Sequence, residues 1–367
     1  MIARILQVTA YYPPHLGGQE IAVQGLSREL ARRGREVDVV SSDRGAVPGR
    51  RREEGVVVTR LRSVEIGHSA VIPGLLPALL RAAADRPIVH LHVGQAFVPE
   101  IAWIASRLRR FDYFLQLHAD LRPSGAAGVF LPPYKRMLLA RVVRDATAVL
   151  LLNREHAGML REDFGYTGKI AFVQNGLDDE WFNSERGRGF HGDGPVRLVY
   201  VGRLAPAKNI SALVDALVLL GESVSLEIIG DGAEGRALRQ RVAERGVDHR
   251  VSFLGALSRA AVIERLQAAD ALVLPSLHES FGLVLLEAMA AEVPIIATDV
   301  VGIQELVGDC SLLTDPSAEG LASAIRRFQG LAPGAIAQMV AAGRRKAERY
   351  RWSVVCDEYE AVYERGG

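Results

Sequence analysis

Two glutamates bracket a run that is otherwise almost wholly apolar in "HESFGLVLLEAMA", His278 to Ala290. Glu279 comes just after the strand-like "ALVLPS", and Glu287 lies about two turns into a segment of helical composition. Ligands of α/β sheets bind beyond the carboxyl ends of the strands, so Glu279 is a candidate ligand contact. Glu287 has apolar neighbours, and a buried acid needs a partner that offsets its desolvation, such as a pair of sugar hydroxyls. The alternatives are an acid that the helix dipole favours for Glu279 and a plain surface residue for Glu287.

An anion site is predicted beside these acids. The backbone amides at or near the helix start lack helical partners and lie at the positive end of the helix dipole. They belong to Phe281, Gly282 and Leu283. In "GRLAPAK", Arg203 follows another predicted strand and Lys208 comes before the next helix. Two cations at a strand end suit a diphosphate, since charge-assisted hydrogen bonds contribute roughly 1.5 to 3 kcal/mol each. A solvated loop, with Asn209 capping the helix, is the alternative.

Two strand ends nearer the N-terminus carry further candidates. "YYPPHLGGQE" holds Gly17 and Gly18 between the first predicted strand and the first helix, where bare backbone can approach a phosphate or an acceptor. A simple chain turn would use the same glycines. In "LQLHAD", His118 lies near a strand end with Asp120 beside it, and a histidine there can donate to a substrate oxygen. A purely structural histidine is the alternative.

The hexad "GDGAEG", Gly230 to Gly235, matches the GxGxxG pattern of dinucleotide sites. It follows the second strand of the second half, and no acid ends the next strand, where "VSFLGAL" stands. We therefore do not expect nicotinamide binding. The acids of "DDE", Asp178 to Glu180, lack the setting of a metal-bridged diphosphate site. No P-loop, HExxH pair or GxSxG elbow occurs in the sequence.

Short apolar, β-branched runs alternate with amphipathic helical stretches along the chain, which predicts parallel α/β sheets covered on both faces. The first series of predicted strands is 4–10, 36–42, 55–61, 87–94, 113–120, 148–153 and 169–175. After the polar, glycine-rich stretch 183–195, a second series covers 196–204, 225–230, 251–257, 271–276, 294–300 and 311–315. We predict two doubly wound, Rossmann-like domains, residues 1–180 and 181–349, a final helix at 350–367, and a site in the cleft between the domains.

The net charge of +1 hides an asymmetry. Residues 1–180 hold 24 Lys and Arg against 19 Asp and Glu, and residues 181–367 hold 20 against 24, so the halves carry +5 and −4. Basic clusters "ARRGR", "GRRR" and "RLRR" in the first half could face phosphates or an anionic membrane, but solvated helix ends explain them more simply. Without interleaved aromatic residues they do not predict nucleic-acid binding.

Cysteine usage and hydropathy bear on the compartment. Cys310 and Cys356 are the only cysteines, so the sequence has no disulfide framework and favours a reducing cytoplasm. The N-terminus lacks the charged leader and cleavage site of a signal peptide. The longest apolar run, "VIPGLLPALL", is broken by two prolines and is far short of the ~20 residues of a membrane span. We expect a cytoplasmic protein without a spanning segment.

With these motifs in view, the chain resembles the retaining glycosyltransferases of family 4, a group with the GT-B fold. "GGQEIAVQGLSRELARRGREVDVV" is similar to the family's opening loop and helix, "VGRLAPAKNI" to its GR-to-K signature, and "ESFGLVLLE" to its E-x7-E motif. The final helix around Trp352 resembles the segment that returns to the first domain. The resemblance covers nearly the whole chain and implies an acceptor-binding first domain and a nucleotide-sugar-binding second domain.

The resemblance assigns roles residue by residue. Glu279 would hold hydroxyls of the transferred sugar, Glu287 the ribose hydroxyls, and His118 would act with Glu279 near the reacting centre. The donor diphosphate would contact Gly17, Gly18, Arg203, Lys208, Phe281, Gly282 and Leu283. We assign His92, Gln95, Asp120 and Tyr134 to the acceptor side, where no motif identifies the acceptor.

The expected reaction moves a hexose or N-acetylhexosamine from a nucleoside diphosphate sugar, with a UDP-sugar preferred, to a hydroxyl of a small molecule such as a natural-product core. No acid pair suits a double displacement, so we expect same-face attack with retention, a departing phosphate oxygen taking the acceptor's proton. No metal or other cofactor is expected. The alternatives are a GDP-mannose donor, a lipid-linked acceptor with peripheral membrane contact, an epimerase or phosphorylase of the same fold, and a non-catalytic sugar-nucleotide-binding protein.

Overall fold

The computed structural model describes residues 4–15, 17–66, 69–118, 138–154, 156–183, 195–279, 281–300 and 302–366. The chain divides into two compact units. Unit 1 comprises Met1–Gly176 and Trp352–Gly367, and unit 2 comprises Leu177–Arg351.

Unit 1 is built on an eight-stranded sheet and a small hairpin. Its strands are β1 (Arg4–Val8), β2 (Glu36–Ser42), β3 (Gly49–Glu53), β4 (Val56–Leu61), the hairpin strands β5 (Val64–Ile66) and β6 (Ser69–Val71), β7 (Ile88–Val93), β8 (Tyr113–Leu117), β9 (Ala148–Leu151) and β10 (Lys169–Phe172). The order across the sheet is β10-β9-β8-β7-β1-β2-β4-β3. Every pairing in it is parallel except that of β3 with β4.

Helices cover both faces of this sheet. They are α1 (Gly18–Arg32), α2 (Leu75–Ala82), α3 (Val98–Arg109), α4 (Ala140–Arg144) and α5 (His156–Phe164). Side chains of β1 alternate between the faces, as the two-residue period of a strand requires. Ile5 packs into the core cluster that includes residues of α1, whereas Leu6 and Val8 pack into the cluster on the other face.

Unit 2 has a six-stranded, wholly parallel sheet. Its strands are β11 (Val196–Val201), β12 (Val224–Ile229), β13 (Val251–Gly255), β14 (Ala271–Leu274), β15 (Ile295–Thr298) and β16 (Leu312–Thr314). The order is β13-β12-β11-β14-β15-β16, the strand order of the Rossmann fold. Its helices are α6 (Ile210–Leu220), α7 (Gly235–Glu244), α8 (Arg259–Ala268), α9 (Leu283–Ala290), α10 (Ile303–Val307), α11 (Ala318–Gln329) and α12 (Pro333–Ala347).

The last helix, α13 (Trp352–Gly366), belongs to unit 1. Trp352, Tyr359 and Tyr363 are buried in the same core cluster as Ile5. The side chain of Trp352 fills space left by glycines: a Cβ on Gly25 of α1 would lie 2.0 Å from its Nε1, and one on Gly176 would lie 2.5 Å from its Cδ2. Glycine at these two positions therefore lets the final helix pack against unit 1.

The predicted doubly wound α/β architecture is confirmed, and each predicted strand is present. The reading of "GRRR" as a helix end is wrong, because these residues form β3, an antiparallel edge strand. Charged side chains are typical of such edges, since one side of the strand lacks a partner in the sheet. The linker candidate 183–195 lies almost wholly outside the described residues.

Candidate active site

In unit 2, the strand order reverses between β11 and β14, which makes this the switch point where ligands of open α/β sheets bind. Two loops leave the sheet there, one after β11 and one between β14 and α9. The Leu277 amide donates to the Ala207 carbonyl at 2.8 Å, so the loops are bonded to each other. The predicted convergence of "GRLAPAK" and "HESFG" in one region is therefore a direct contact.

Lys208 and Glu279 form an ion pair across these loops, between Nζ and Oε2. The side chains are only 21% and 13% exposed. Ser276, which is fully buried, donates its Oγ to the same carboxylate oxygen at 3.2 Å. Its carbonyl in turn accepts the Thr298 Oγ1 proton at 2.5 Å, which ties this loop to the end of β15. Glu279 is thus held by Lys208 of the loop after β11 and by Ser276 of its own loop, which Thr298 of β15 anchors in turn.

Arg203 is the second cation at this switch point. Its side chain is exposed, and no carboxylate of the described residues lies within ion-pair distance of it. Its carbonyl accepts the Tyr200 hydroxyl at 3.0 Å. Burial raises the pKa of Tyr200, the charge of Glu279 raises it further, and that of Arg203 lowers it. Both charges therefore act on the same tyrosine, at the end of β11.

The start of α9 offers backbone donors beside Glu279. Gly282 precedes the helix with φ +76° and has no side chain to cap the helix N-terminus, so within the described residues the first amides have no capping side chain. A Cβ on Gly282 would lie 2.9 Å from Leu285 Cδ1 and 3.4 Å from Glu279 Cγ. Phe281 is buried, with its ring centroid 6.1 Å from that of Tyr350. The amides of Phe281, Gly282 and Leu283 thus stand where an anion is stabilised.

Glu287 lies in the second turn of α9 and its side chain is partly accessible. Burial of the carboxyl raises the pKa of Glu287 to about 7, against the lowering influence of Arg259. Arg259 itself forms an ion pair with Asp178 and a second one with Glu180 at 3.5 Å. No pattern in the sequence indicates Arg259, and the acids of "DDE" are its ion-pair partners.

The glycines of "GDGAEG" have a packing role. A Cβ on Gly230 would lie 2.0 Å from the Gly202 carbonyl oxygen, and one on Gly232 would lie 2.2 Å from that of Leu204. The Gly202 amide donates to Ile229 at 3.0 Å, and the Leu204 amide donates to Asp231 at 2.9 Å. Glycine therefore lets the loops after β11 and β12 touch. Asn209 does not cap α6 with its side chain, which donates instead to the Pro316 carbonyl at 2.8 Å.

In unit 1, a row of buried polar side chains crosses the sheet on the face that α13 covers. The row consists of Gln7 of β1, His90 and His92 of β7, and Gln116 of β8. His90 and His92 are two residues apart and share a face, as strand geometry requires. Sequence reasoning missed Gln7, whose signal is a single amide inside the apolar strand "RILQV".

Hydrogen bonds connect this row to His118. His92 Nε2 lies 2.6 Å from Gln7 Oε1, and His92 Nδ1 lies 2.8 Å from His118 Nε2. The His118 amide donates to the Val93 carbonyl at 3.0 Å. The hydroxyl of Tyr363 lies 2.8 Å from His90 Nδ1, and Gln116 Nε2 donates to the Tyr359 hydroxyl at 2.7 Å. Helix α13 therefore supplies the partners of His90 and Gln116. The partners of His92 are Gln7 and His118.

These imidazoles are neutral. Burial lowers the pKa of His90 and of His118 to about 3, and it lowers that of His92 well below its ordinary value. In the loops that directly follow β7 and β8, as far as the structure describes them, Gln95 Oε1 and His118 Nδ1 are buried and have no hydrogen-bond partner. Unpaired buried polar atoms are rare, and at a strand end a substrate group can satisfy them.

Gly17 precedes α1 in extended conformation. A Cβ there would lie 2.2 Å from Glu20 Oε2, and Glu20 Oε1 lies 3.0 Å from His15 Nδ1. The missing side chain of Gly17 therefore makes room for a buried carboxylate. Gly18 is the first residue of the helix. Asp120 and Tyr134, two of the acceptor-side candidates, lie outside the described residues.

Metal-binding clusters and membrane-spanning helices are both absent from the described residues. No cluster of three or more His, Cys, Asp or Glu side chains there could hold a metal ion. Nor does any helix in the described ranges have the length and apolar character to cross a bilayer.

Several known proteins are similar to this chain over nearly its whole length. The glycogen synthase of Mycobacterium tuberculosis (strain CDC 1551 / Oshkosh) is 28% identical, covering 98% of this chain and 94% of the relative. The D-inositol 3-phosphate glycosyltransferase of Jonesia denitrificans is 30% identical, covering 95% and 91%. The GDP-mannose-dependent alpha-mannosyltransferase of Mycolicibacterium smegmatis is 29% identical, covering 99% and 98%.

Solved structures share the fold. Sucrose-phosphate synthase from Thermosynechococcus elongatus superposes with a TM-score of 0.80 at 22% identity, covering 99% of this chain and 98% of that one. Anabaena Alr3699/HepE, in complex with UDP and glucose, gives a TM-score of 0.78 at 19% identity, covering 99% and 100%. These likenesses establish the GT-B fold.

Family profiles match both halves of the chain. The profile described as Glycosyltransferase Family 4 matches residues 16–181, and the one described as Glycosyl transferases group 1 matches residues 182–332. The motifs that the sequence presented and the relative at 30% identity point to the same group. The chain therefore belongs to the family 4 glycosyltransferases.

Proposed function

We propose that this glycosyltransferase is a retaining enzyme that moves a hexose or N-acetylhexosamine from a nucleoside diphosphate sugar to an acceptor hydroxyl. The observation that carries the proposal is the meeting of Lys208 and Glu279 at the β11/β14 switch point, beside Arg203 and the start of α9. Cations, backbone donors and a carboxylate are the groups that a sugar diphosphate needs at one place.

The diphosphate would take the positive groups. Arg203 is exposed and has no carboxylate partner among the described residues, so it can bind phosphate without losing an ion pair. Lys208 would turn from Glu279 to the diphosphate, and the amides of Phe281, Gly282 and Leu283 would add donors. Together these groups would stabilise the negative charge that develops on the leaving diphosphate in the transition state.

The two glutamates would hold the two sugars of the donor. Glu279, released from Lys208, accepts hydrogen bonds from hydroxyls of the transferred sugar. Glu287 accepts hydrogen bonds from the hydroxyls of the ribose. Arg259 favours the ionised form of Glu287, which is the form that accepts two hydroxyl protons. Gly17 and Gly18 would shape the backbone near the donor phosphate and acceptor.

The chemistry would proceed by attack on the same face that the diphosphate leaves. A departing phosphate oxygen takes the acceptor's proton, so the protein needs no acid pair for a double displacement. His118 contacts the transferred sugar near the reacting carbon as a neutral imidazole, in keeping with the burial that lowers its pKa. The anomeric configuration of the product, read from proton couplings by NMR, tests retention.

We propose that no metal takes part. The cations, together with the helix N-terminus, would balance the diphosphate charge that a metal balances elsewhere. An unchanged rate after exhaustive treatment with EDTA is the expected result, and a loss that Mg²⁺ or Mn²⁺ restores would overturn this part of the proposal.

A UDP-sugar is the preferred donor in this proposal, and GDP-mannose is the second candidate. The mannosyltransferase relative, named for its GDP-mannose dependence, supports that second candidate at 29% identity over 99% of the chain. A melting-temperature screen against UDP, GDP and ADP and their sugars separates them, because a ligand at 100 times its Kd adds about 2.7 kcal/mol to the stability of the folded state.

For the acceptor we propose a small molecule with a free hydroxyl, held near Gln95, Asp120 and Tyr134. The prediction that His92 contacts the acceptor directly is wrong, because His92 is only 2% exposed and both of its ring nitrogens are bonded, to Gln7 and to His118. Gln95 supports this proposal, because its buried Oε1 has no hydrogen-bond partner and could accept a hydrogen bond from the acceptor. A lipid-linked acceptor, with peripheral membrane contact by the basic clusters of the first half, is the alternative. We propose a cytoplasmic location, which suits the two free thiols, Cys310 and Cys356.

The deciding experiment is the release of nucleoside diphosphate from the donor with and without acceptor. Release that requires an acceptor supports transfer, and formation of an isomeric nucleotide sugar without acceptor would identify an epimerase. Absorbance of a lysine-bound pyridoxal phosphate would identify a phosphorylase. Binding of the donor without turnover, against a broad acceptor panel, would identify a non-catalytic binding protein.

A further inference from the structure

Gln7, His92 and His118 form a chain of hydrogen bonds that runs from the interior of unit 1 to the end of β8. The chain begins at Gln7 on β1, passes through His92 on β7 and ends at His118, the residue after β8. Gln7 and His92 are essentially inaccessible, at 0% and 2% exposed, so water does not compete for these bonds.

The direction of each bond follows from the chemistry of its atoms. Gln7 Oε1 is a carbonyl oxygen and can only accept, so the proton of His92 is on Nε2, 2.6 Å away. A neutral imidazole carries one ring proton, and His92 Nδ1 is therefore a bare acceptor. The proton between His92 Nδ1 and His118 Nε2, 2.8 Å apart, then belongs to His118 Nε2. His118 Nδ1 is left with a lone pair and no proton.

Among the described residues, His118 Nδ1 is buried and has no hydrogen-bond partner. His118 Nδ1 can only accept, because the hydrogen bonds from Gln7 through His92 place the ring proton of His118 on Nε2. A hydroxyl is a suitable partner because it supplies the proton that the imidazole lacks.

We infer that Gln7 and His92 are positioning residues that fix the tautomer of His118, so that His118 Nδ1 accepts a hydrogen bond from a hydroxyl of the transferred sugar. The inference rests on the proposed function for the identity of the sugar, but the tautomer itself does not depend on any substrate. The neutral state of all three rings, which burial imposes on His90, His92 and His118, is consistent with it.

The arrangement also explains why an amide lies inside an apolar strand. The residues next to Gln7, Leu6 and Val8, pack into the core on the other face of the sheet. On the same face as Gln7, β1 contributes the apolar side chain of Ile5. Gln116 occupies a comparable buried position on β8 and the same face, but its amide donates to Tyr359 instead of a histidine. The two glutamines therefore form a natural pair of test and control.

The experiment compares Gln7→Met and Gln116→Met with the wild-type protein, both variants replacing a fully buried amide by a side chain of similar length. In protein labelled with ¹⁵N-histidine, two-bond proton–nitrogen correlation spectra show which ring nitrogen carries the proton. His118→Gln and His92→Gln identify the signals. We expect wild-type His118 to show protonated Nε2 and bare Nδ1, Gln7→Met to mix the tautomers, and Gln116→Met to leave them unchanged.

Steady-state kinetics supply the second measurement. In Gln7→Met we expect kcat to fall about tenfold, as the loss of one neutral hydrogen bond to the transition state would produce, with KM for the donor unchanged. Gln116→Met is expected to keep the wild-type kcat. A loss of kcat in both variants alike would mean that packing, not the tautomer, matters, and would overturn the inference.

The spectra decide the tautomer even if a variant does not fold or no donor is turned over. A proton on His118 Nδ1 in the wild type, as a reversed Gln7 amide would give, overturns the inference. So does a wild-type tautomer in Gln7→Met. If the spectra agree with expectation but no nucleotide sugar is consumed with any acceptor, the proposed function fails and the fixed tautomer stands.

Discussion

Lys208 and Glu279, 71 positions apart in sequence, form an ion pair at the switch point of unit 2. From the sequence they have separate tasks, one on the diphosphate and one on the sugar. In the structure each is the charge partner of the other in a largely buried place. A donor would have to offer Lys208 a phosphate and Glu279 hydroxyls in exchange, since breaking such a pair on one side alone is costly.

The first prediction concerns Glu279→Gln. We expect kcat to fall about a hundredfold or more, because a charged hydrogen bond near the developing charge is lost. The Kd for the nucleoside diphosphate should stay unchanged or decrease, because Lys208 no longer pairs with a carboxylate. Initial rates and calorimetric titration measure the two effects. Glu319→Gln, at an exposed position in α11, is the control, and near-full activity of Glu279→Gln would remove this residue from the site.

The second prediction concerns Lys208→Met. We expect the nucleoside diphosphate to bind at least about tenfold more weakly, since a charge-assisted bond is lost and the Glu279 carboxylate is left unneutralised beside the phosphates. Arg203→Met should weaken binding in the same direction. Lys346→Met in α12, whose Nζ donates to the Glu305 carbonyl, is the matched control. Equal Kd values for Lys208→Met and Lys346→Met would contradict the assignment.

The third prediction concerns pH and Glu287, whose pKa burial raises to about 7. In the proposed site the ribose hydroxyls donate to the ionised carboxylate of Glu287, so below that pKa binding would first have to remove a proton. Nucleotide affinity should therefore rise with pH through 7, by up to about tenfold per unit on the acid side. The measurement is the Kd of a nucleoside diphosphate between pH 5.5 and 8.

Glu287→Gln is the comparison for that series. Titration of the nucleotide's own phosphate is common to both proteins, so their difference isolates the glutamate. The variant should bind more weakly at pH 8 and approach the wild type as the pH falls. If the Kd of both proteins changed with pH in the same way, Glu287 would not contact the ribose.

Both sheets were predictable from the sequence because short β-branched runs between helical stretches are a local signal. Arg203, Lys208 and Glu279 were predictable for the same reason, as each comes just after such a run. Their pairing was not, since it depends on β11 and β14 being neighbours, which no local pattern records. Strand β3 was missed because "GRRRE" has no apolar face; its partner β4 and its position at the edge define it.

The fourth prediction tests the packing role of "GDGAEG". In Gly230→Ala the new Cβ would meet the Gly202 carbonyl oxygen, at a backbone φ of +128° that alanine adopts poorly. We expect a loss of roughly 2 to 4 kcal/mol in unfolding free energy. Gly334→Ala in α12, with nothing within 4 Å of its Cβ, is the control and should be neutral or stabilising by up to about 1 kcal/mol. A stable Gly230→Ala protein that no longer binds nucleotide would favour a nucleotide-contacting loop instead.

The last prediction concerns the buried histidines of unit 1. In the folded state the pKa of His90 and of His118 is about 3, whereas in the unfolded chain it is near 6.5. Between these values the unfolded chain binds protons and the folded unit does not. The stabilisation is therefore fully present above about pH 6.5 and is lost as the pH falls toward 3, by up to about 1.4 kcal/mol per pH unit for each histidine. Urea unfolding between pH 7.5 and 5, followed by the fluorescence of Trp103 and Trp352 in a Trp181→Phe background, measures the slope for unit 1.

Carboxylates also titrate in this pH range, and they do so alike in the wild type and in every variant. Differences in slope between the variants therefore report the histidines alone. His118→Gln removes one of these imidazoles and should make the slope shallower by one histidine's share. Gln116→Met removes a buried amide of unit 1 and no titratable group, and it should leave the slope as it is. If His118→Gln and the wild type lost stability equally on acidification, His118 would not be the neutral, buried ring that the hydrogen-bond chain from Gln7 requires.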